Sequence, residues 1–252
     1  MAIGRVRTDP AQAVTGPTFH SYQGQDRFVL AACGGQRGGF FLDSGASDGL
    51  HGSNTRTLEV EYGWTGICIE PNTELHARLV SNRNCICLDC CLYDREGDVE
   101  FFEAAQVYGG IVDEYDPGHL EFARAFVARQ PSDSASSAAP VTKSARTIRS
   151  VLQEFRAPRV IDYWSLDTEG SELAILRAFP FEEYRVRFLT VEHNHTPIRA
   201  AISAFLAGHG FQRVVDLGID DGYAWVGNQA GAGWRSPVWS RAGRRLNLRP
   251  SA

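Results

Sequence analysis

GGFFLDSGASDGLHGSNTRTLEVEYGWTGICIEPN, residues 38–72, is the stretch on which the fold is decided. An apolar run, Phe40–Leu42, breaks into the small-residue turn Gly45-Ala46-Ser47-Asp48-Gly49. A strand running into a glycine turn is the entrance of a nucleotide-binding βα unit. A ligand that approaches such a turn needs residues without a bulky Cβ, because the chain bends sharply beneath it. The spacing is G-x-x-x-G, not G-x-G-x-x-G, so a pyrophosphate at a helix N-terminus is less clearly served and a plain tight turn is the alternative. SNTRTLEVEYGW reads as the following helix, with Ser53 or Asn54 as its N-cap. GICIE is a second short strand whose last residue, Glu70, stands where a doubly wound sheet places the acid that grips ribose hydroxyls. A carboxylate accepts from both vicinal hydroxyls at once. A solvated strand end would explain Glu70 alone; the glycine turn before it favours the ribose role.

Outward from this unit, strands and helices alternate. A helix around Tyr22–Cys33 leads in, ELHARLVSNR is a helix, CICLDCCLY a third strand, and DREGDVEFFEA a turn with an edge strand. After residue 145 come a helix at TIRSVLQEF, a strand at VIDYWSLD, a helix at SELAILRAF, a strand at RFLTVEHN and a helix at IRAAISAFLAGHG. FQRVVDLG and YAWVG, joined by IDDG, close the chain as a hairpin. The expected fold is α/β, with a mostly parallel sheet, helices on both faces and an antiparallel terminal hairpin. The chain divides into a helical lead (1–39), a main domain (40–228) with a flexible, lid-like insert (104–145), and an Arg-rich tail (229–252). The tail is read as solvated, with an anionic contact as the lesser alternative. The insert holds one helical patch and the low-complexity run PSDSASSAAP. Its Tyr108-Gly109-Gly110 could hinge a lid that excludes water, or be a plain surface loop.

Composition narrows the function. The 252 residues carry 43% hydrophobic and 22% charged residues, enough for a packed core. A formal charge of −5 argues against a dedicated nucleic-acid binder. No apolar run approaches a bilayer span, and the opening MAIGRVRTDP is not a secretory signal, so a cytoplasmic protein without a membrane is expected. Six cysteines then read as reduced thiols. Cys85, Cys87 and Cys91 are expected on one face of the third strand and Cys90 on the other, so the four cannot close a tetrahedral zinc site and read as small core residues. Asp89, among them, could reach a nucleobase amine.

With these residues in view, the stretch from Phe40 to Asn72 resembles the opening of the FkbM family of S-adenosylmethionine-dependent methyltransferases. YDREGDVEFF, IDYWSLDTEGSELAIL and FLTVEHN extend the likeness over about residues 38–227. SNT, GW-G-IEP and D-x-EG-x-E in that order make it specific. The resemblance implies a class I methyltransferase fold, a seven-stranded sheet with the methyl donor over its strand ends, and O-methylation of a small molecule, sugar, glycan or secondary metabolite. By motif, the donor site would involve Asp43, Gly45, Gly49 and Glu70, with Ser44, Asn54 and Asp89 beside them.

The chemistry is expected among Asp167, Glu169, Glu192 and Asn194, with Asp167 and Glu192, at two neighbouring strand ends, as the favoured pair. Together with Asn194 these offer hard oxygen ligands for Mg²⁺, which would lower the pKa of an acceptor hydroxyl. The arrangement looks like that of catechol O-methyltransferase, an analogy of fold. Alternatively His193 or His195 is a general base without metal. Glu169 and Glu172 could simply favour a helix dipole, His195 could cap a loop, and His51 could face the crevice or the surface. His20, His76, His119 and His209 stand near no acidic constellation. N-methylation on the same scaffold, or a catalytically silent binding protein, are the rival functions, and oligomeric state is open.

Overall fold

The protein is described by a computed structural model over residues 16–130 and 139–227. Strands β1 (Phe40–Ser44), β2 (Thr65–Ile69), β3 (Ile86–Leu88), β7 (Val160–Leu166), β8 (Arg185–Glu192), β9 (Phe211–Leu217) and β10 (Asp220–Trp225) form the main sheet. Their order is β3-β2-β1-β7-β8-β10-β9. β1 runs parallel to β2 and to β7, β2 to β3, and β7 to β8. β10 is antiparallel to β8 and β9, as the hairpin reading required. This is the seven-stranded, mostly parallel arrangement with a terminal hairpin that the family resemblance implied. The strand order reverses direction between β1 and β7, and in an open parallel sheet a ligand crevice lies outside the carboxyl ends at that point.

Alternating side chains send β1 residues to opposite faces. Phe41 joins Phe28, Leu58 and Leu79 from α1 (Gln25–Ala32), α2 (Arg56–Tyr62) and α3 (Thr73–Asn82). Leu42 joins Val151, Leu176 and Leu206 from α5 (Ile148–Glu154), α6 (Glu172–Ala178) and α7 (Ile198–Gly208) on the other face. Each fully buried side chain of this kind contributes about 1.5–3 kcal/mol. The lead is tied in by polar contacts. Asp26 accepts from Thr57 Oγ1 at 2.7 Å and from the His20 amide at 2.8 Å, and Gln25 Nε2 donates to Asp220 at 2.6 Å.

CICLDCCLY, expected as one strand, is two. β3 stays in the main sheet, while β4 (Cys91–Tyr93) leaves it after Asp89-Cys90. β4 pairs parallel with β6 (Val141–Thr147), which pairs antiparallel with β5 (Gly97–Phe101), in a separate three-stranded sheet. Face alternation therefore does not carry across the break. Cys85 and Cys87 pack on one side of the main sheet, Cys90 on the other, and Cys91 in the core of the small sheet. The zinc site remains excluded, for a different reason. A strand as polar as VTKSART gave no apolar signal, which is why β6 went unforeseen.

The 104–145 segment contains 3₁₀ turns at Glu103–Tyr108 and Val112–Glu114, helix α4 (Pro117–Ala128) and the first half of β6. α4 starts where Asp116 accepts from the Gly118 amide and Pro117 fills the first turn. Most of the PSDSASSAAP run, and the Arg-rich tail, lie outside the described residues. Among the described residues, no helix is long and apolar enough to cross a membrane.

Candidate active site

A cleft of about 620 Å³ opens over the carboxyl ends of β1, β2 and β7, lined among others by Gly45, Glu70, Asp167 and Glu192. The turn after β1 is pinned to its neighbours. Gly45 and Ala46 donate to Ile69 O, Asp167 N donates to Ser44 O, and the buried Trp164 indole donates to Ser44 Oγ at 2.9 Å. Gly45 has φ +80, and a Cβ there would stand 1.7 Å from the Asp167 carbonyl oxygen. The glycine is thus demanded by the close approach of two strand ends as much as by any ligand.

Glu70 is buried, 6% exposed. Its Oε2 accepts from the Ser47 amide and its Oε1 from the Asn72 amide, both at 2.8 Å. Each oxygen keeps lone-pair capacity for a further donor. Burial, against those two N–H groups, raises its pKa from 4.5 to about 7. Asn72, the N-cap of α3, accepts from the Glu74 and Leu75 amides while its own amide donates to Glu70, so it orients both the helix and the acid. The carboxylate is therefore held rigidly before any ligand arrives.

Beneath the turn lies a buried ionic network. Asp43 accepts from Thr55 Oγ1 and stands 3.9 Å from Arg83 Nη1. Arg83 also pairs with Glu59, donates to Ser53 and Thr55, and lies over the Phe41 ring. Desolvation raises the Asp43 pKa to about 6, partly offset by Arg83. The start of α2 belongs to the same network: Thr55 is its N-cap, and Ser53 Oγ accepts from the Arg56 amide at 3.2 Å, so neither Ser53 nor Asn54 occupies the cap itself. Asn54 instead donates to Ser165 at 2.8 Å, tying the turn to β7.

At the ends of β7 and β8 the picture changes. One oxygen from each of Asp167, Glu169 and Glu192 lies within 4.8 Å of the others. Burial, then repulsion from Glu169 and Asp220, pushes the pKa of Asp167 well above the carboxylate range, and burial, then repulsion from Asp167 and Glu169, does the same to Glu192. His119 of α4 places Nε2 2.6 Å from Glu169 Oε2, and that carboxylate raises the imidazole pKa. A second cavity, about 280 Å³, lies beyond the cluster, lined by Tyr115, His119, Glu169, Glu192, His193 and Asn194 among others. Glu169 and Glu192 line both spaces. Among the described residues, six besides glycine have positive φ, and Ser47, Gln106, Glu169, Asn194 and His195 lie on or beside these cavities. Such strain, about 1–3 kcal/mol each, gathers at functional sites.

Asp43, Ser44, Gly45, Asn54, Glu70, Asp167 and Glu192 thus share the larger cleft, as does His51, whose ring also meets Asp48 at 2.6 Å. Gly49 does not line it: its missing Cβ would strike Leu79 and Arg83, a packing requirement. Asp89 is exposed and lines neither cavity. Asn194 lines the smaller cavity and turns its amide nitrogen toward Glu169 Oε2 at 3.4 Å, acting as a donor to an acid. His193 accepts the His195 amide at Nδ1, 3.1 Å, and burial lowers its pKa. The neutral ring then carries its proton on Nε2, so it lacks the free lone pair that a general base requires. His195 is exposed and lines neither cavity. Glu172, in the first turn of α6 where an acid suits the helix dipole, accepts from the Thr168 and Gly170 amides.

Sequence reasoning missed three contributors. Arg83, in ELHARLVSNR, carries no mark distinguishing it from a solvated last-turn arginine. Asn72 could have been found, since Asn-Thr-Glu ahead of a helical run is a capping pattern. The acidic partner of His119 is not nearby in the sequence; it lies 50 positions away and meets the ring only through the packing of α4.

The sheet order, the pinned turn and the acids at the strand ends place one crevice at the carboxyl ends of an open α/β sheet, where such folds bind their ligands. The Methyltransferase FkbM domain matches residues 43–213, and the chain belongs to that family: it is a methyltransferase, and the family implies S-adenosylmethionine as the donor. No curated protein matches it. Two crystal structures resemble it at low similarity. One, described as an RNA methyltransferase from Pyrococcus horikoshii, is 13% identical, with TM-score 0.41 over 81% of this chain and 84% of that one. The other, precorrin-6y C5,15-methyltransferase from Geobacter metallireducens, is 12% identical, with TM-score 0.39 over 79% and 87%.

Proposed function

We propose that the chain is an S-adenosylmethionine-dependent O-methyltransferase whose acceptor is a hydroxyl of a small molecule, sugar, glycan or secondary metabolite. The observation that carries this reading is the junction of two spaces at Asp167, Glu169 and Glu192. The larger contains Glu70, held by two backbone amides with capacity for a ribose diol. Its volume, about 620 Å³, lies in the range of small-molecule sites. When bound, the donor supplies an electrophilic methyl on a sulfonium. The protein's own work is positioning and acceptance of the hydroxyl proton. Carboxylates with raised pKa at the junction suit that proton, whereas His193 presents an N–H. Mg²⁺ at the same acids would strengthen the case for oxygen, by lowering the pKa of the hydroxyl.

A net charge of −5 and the acidic walls of the smaller cavity disfavour a nucleic-acid acceptor. The test is transfer of a ¹³C-labelled methyl from the donor to a panel of polyhydroxylated and amine acceptors. The expected product is a methyl ether, identified by mass and methoxy carbon shift. N-methyl products alone would replace this reading with N-methylation, and absence of donor binding at millimolar concentration would favour a silent binding protein.

A further inference from the structure

We propose that Asp167, Glu169 and Glu192 form a divalent-cation site, with Glu169 in the place the sequence assigned to Asn194. The proposal deepens the reading of the same site as a methyltransferase centre, yet the binding it requires needs neither donor nor acceptor. The three oxygens come from separate backbone positions: the end of β7, the turn after it and the end of β8. All lie within 4.8 Å of one another. A six-coordinate ion with bonds of about 2.1 Å sets neighbouring oxygens about 3.0 Å apart and opposite ones about 4.2 Å apart. Small rotations of the carboxylates close that difference.

An independent feature points to a missing partner. Glu192 is 4% exposed, and among the described residues its Oε2 has no hydrogen-bond partner. Buried polar atoms are almost always satisfied, so an unpartnered oxygen on a carboxylate that itself lies among two others asks for a cation. Of the three acids, His119 is paired, among the described residues, with Glu169. Arg199, on the neighbouring helix α7, is committed to Asp216 and Asp221. Three carboxylates without sulfur suit Mg²⁺, Mn²⁺ or Ca²⁺ over Zn²⁺. Asn194 presents an N–H to Glu169, which orients that carboxylate and leaves the amide as a supporting group. Because Glu169 and Glu192 line both cavities, an ion held here faces the donor side and the smaller space together.

Titration of the full chain with Mn²⁺, followed by electron paramagnetic resonance and calorimetry without donor, tests the site. The expected result is one saturable Mn²⁺ per chain, displaced by Mg²⁺. Glu192→Gln and Asp167→Asn should each weaken binding at least about tenfold, since even supporting groups around a metal are worth that much. Glu169→Gln should weaken it more than Asn194→Ala. Circular dichroism of each variant separates lost binding from lost fold, and the near-isosteric Gln and Asn replacements remove charge without opening space. Absence of saturable Mn²⁺ binding at millimolar concentration, or undiminished binding by folded Glu192→Gln, overturns the site. S-adenosylhomocysteine binding, measured in parallel with EDTA, keeps the two readings apart: donor binding without Mn²⁺ binding removes the cation only, and the reverse removes the methyltransferase assignment only.

Discussion

The two halves of the crevice treat their buried acids in opposite ways. Under β1 and β2, Asp43 faces Arg83 and Thr55, and Glu70 takes two backbone amides. Beyond β7 and β8, Asp167 and Glu192 each feel the charge of Glu169, and among the described residues Glu192 Oε2 has no hydrogen-bond partner. A buried carboxylate is tolerated when it is paired and costly when it is not. The first half is therefore a finished scaffold, rigid before its ligand arrives. The second, among the described residues, leaves Asp167 and Glu192 without a positive partner, which the proposed cation would supply.

If the first half is a finished scaffold, removing its centre should be the most damaging change. Arg83→Met leaves Asp43 and Glu59 buried without their cation. The expected loss is about 3–5 kcal/mol, measured by denaturant unfolding. A loss below 1 kcal/mol would dissolve the contrast between the halves. Next, Gly45→Ala combines a left-handed backbone with a contact against the Asp167 carbonyl. It should cost about 2–4 kcal/mol by the same assay. Gly49→Ala meets movable side-chain atoms of Leu79 and Arg83 and should cost less.

The pH dependence of stability is the sharpest in sign. Glu70 rises from 4.5 unfolded to about 7 folded, so the folded state holds the proton more tightly. The stabilisation from this group is complete below pH 4.5 and is lost as pH rises to about 7. Glu70→Gln should therefore gain stability relative to wild type across that window. Its donor affinity should nevertheless fall roughly 10–100-fold, since a hydrogen bond to a charged group is worth about 1.5–3 kcal/mol. Parallel pH curves for the two proteins would contradict the burial argument.

Much of the first half was legible because its logic is local. Phe40–Leu42, the glycines and Glu70 lie within one βα unit, where periodicity and turn chemistry speak directly. Arg83 was not, because a long side chain reaching inward looks like any exposed arginine until α3 is docked. The second half was legible only in part. Asp167 and Glu192 follow from strand ends, but their spacing, the inward turn of Glu169 at φ +61 and the arrival of His119 depend on tertiary packing. The break between Leu88 and Cys91 was hidden for the opposite reason: the run is apolar throughout, and periodicity does not reveal a change of sheet.

The central claim is that Gly45, Glu70, Asp167 and Glu192 enclose one methyl-donor site. A crystal structure with S-adenosylhomocysteine tests it most directly. The account predicts the ribose hydroxyls on the Glu70 carboxylate, with the sulfur toward Asp167 and Glu192. Ligand density that leaves Glu70 untouched, or lies outside the β1–β7 crevice, would contradict it.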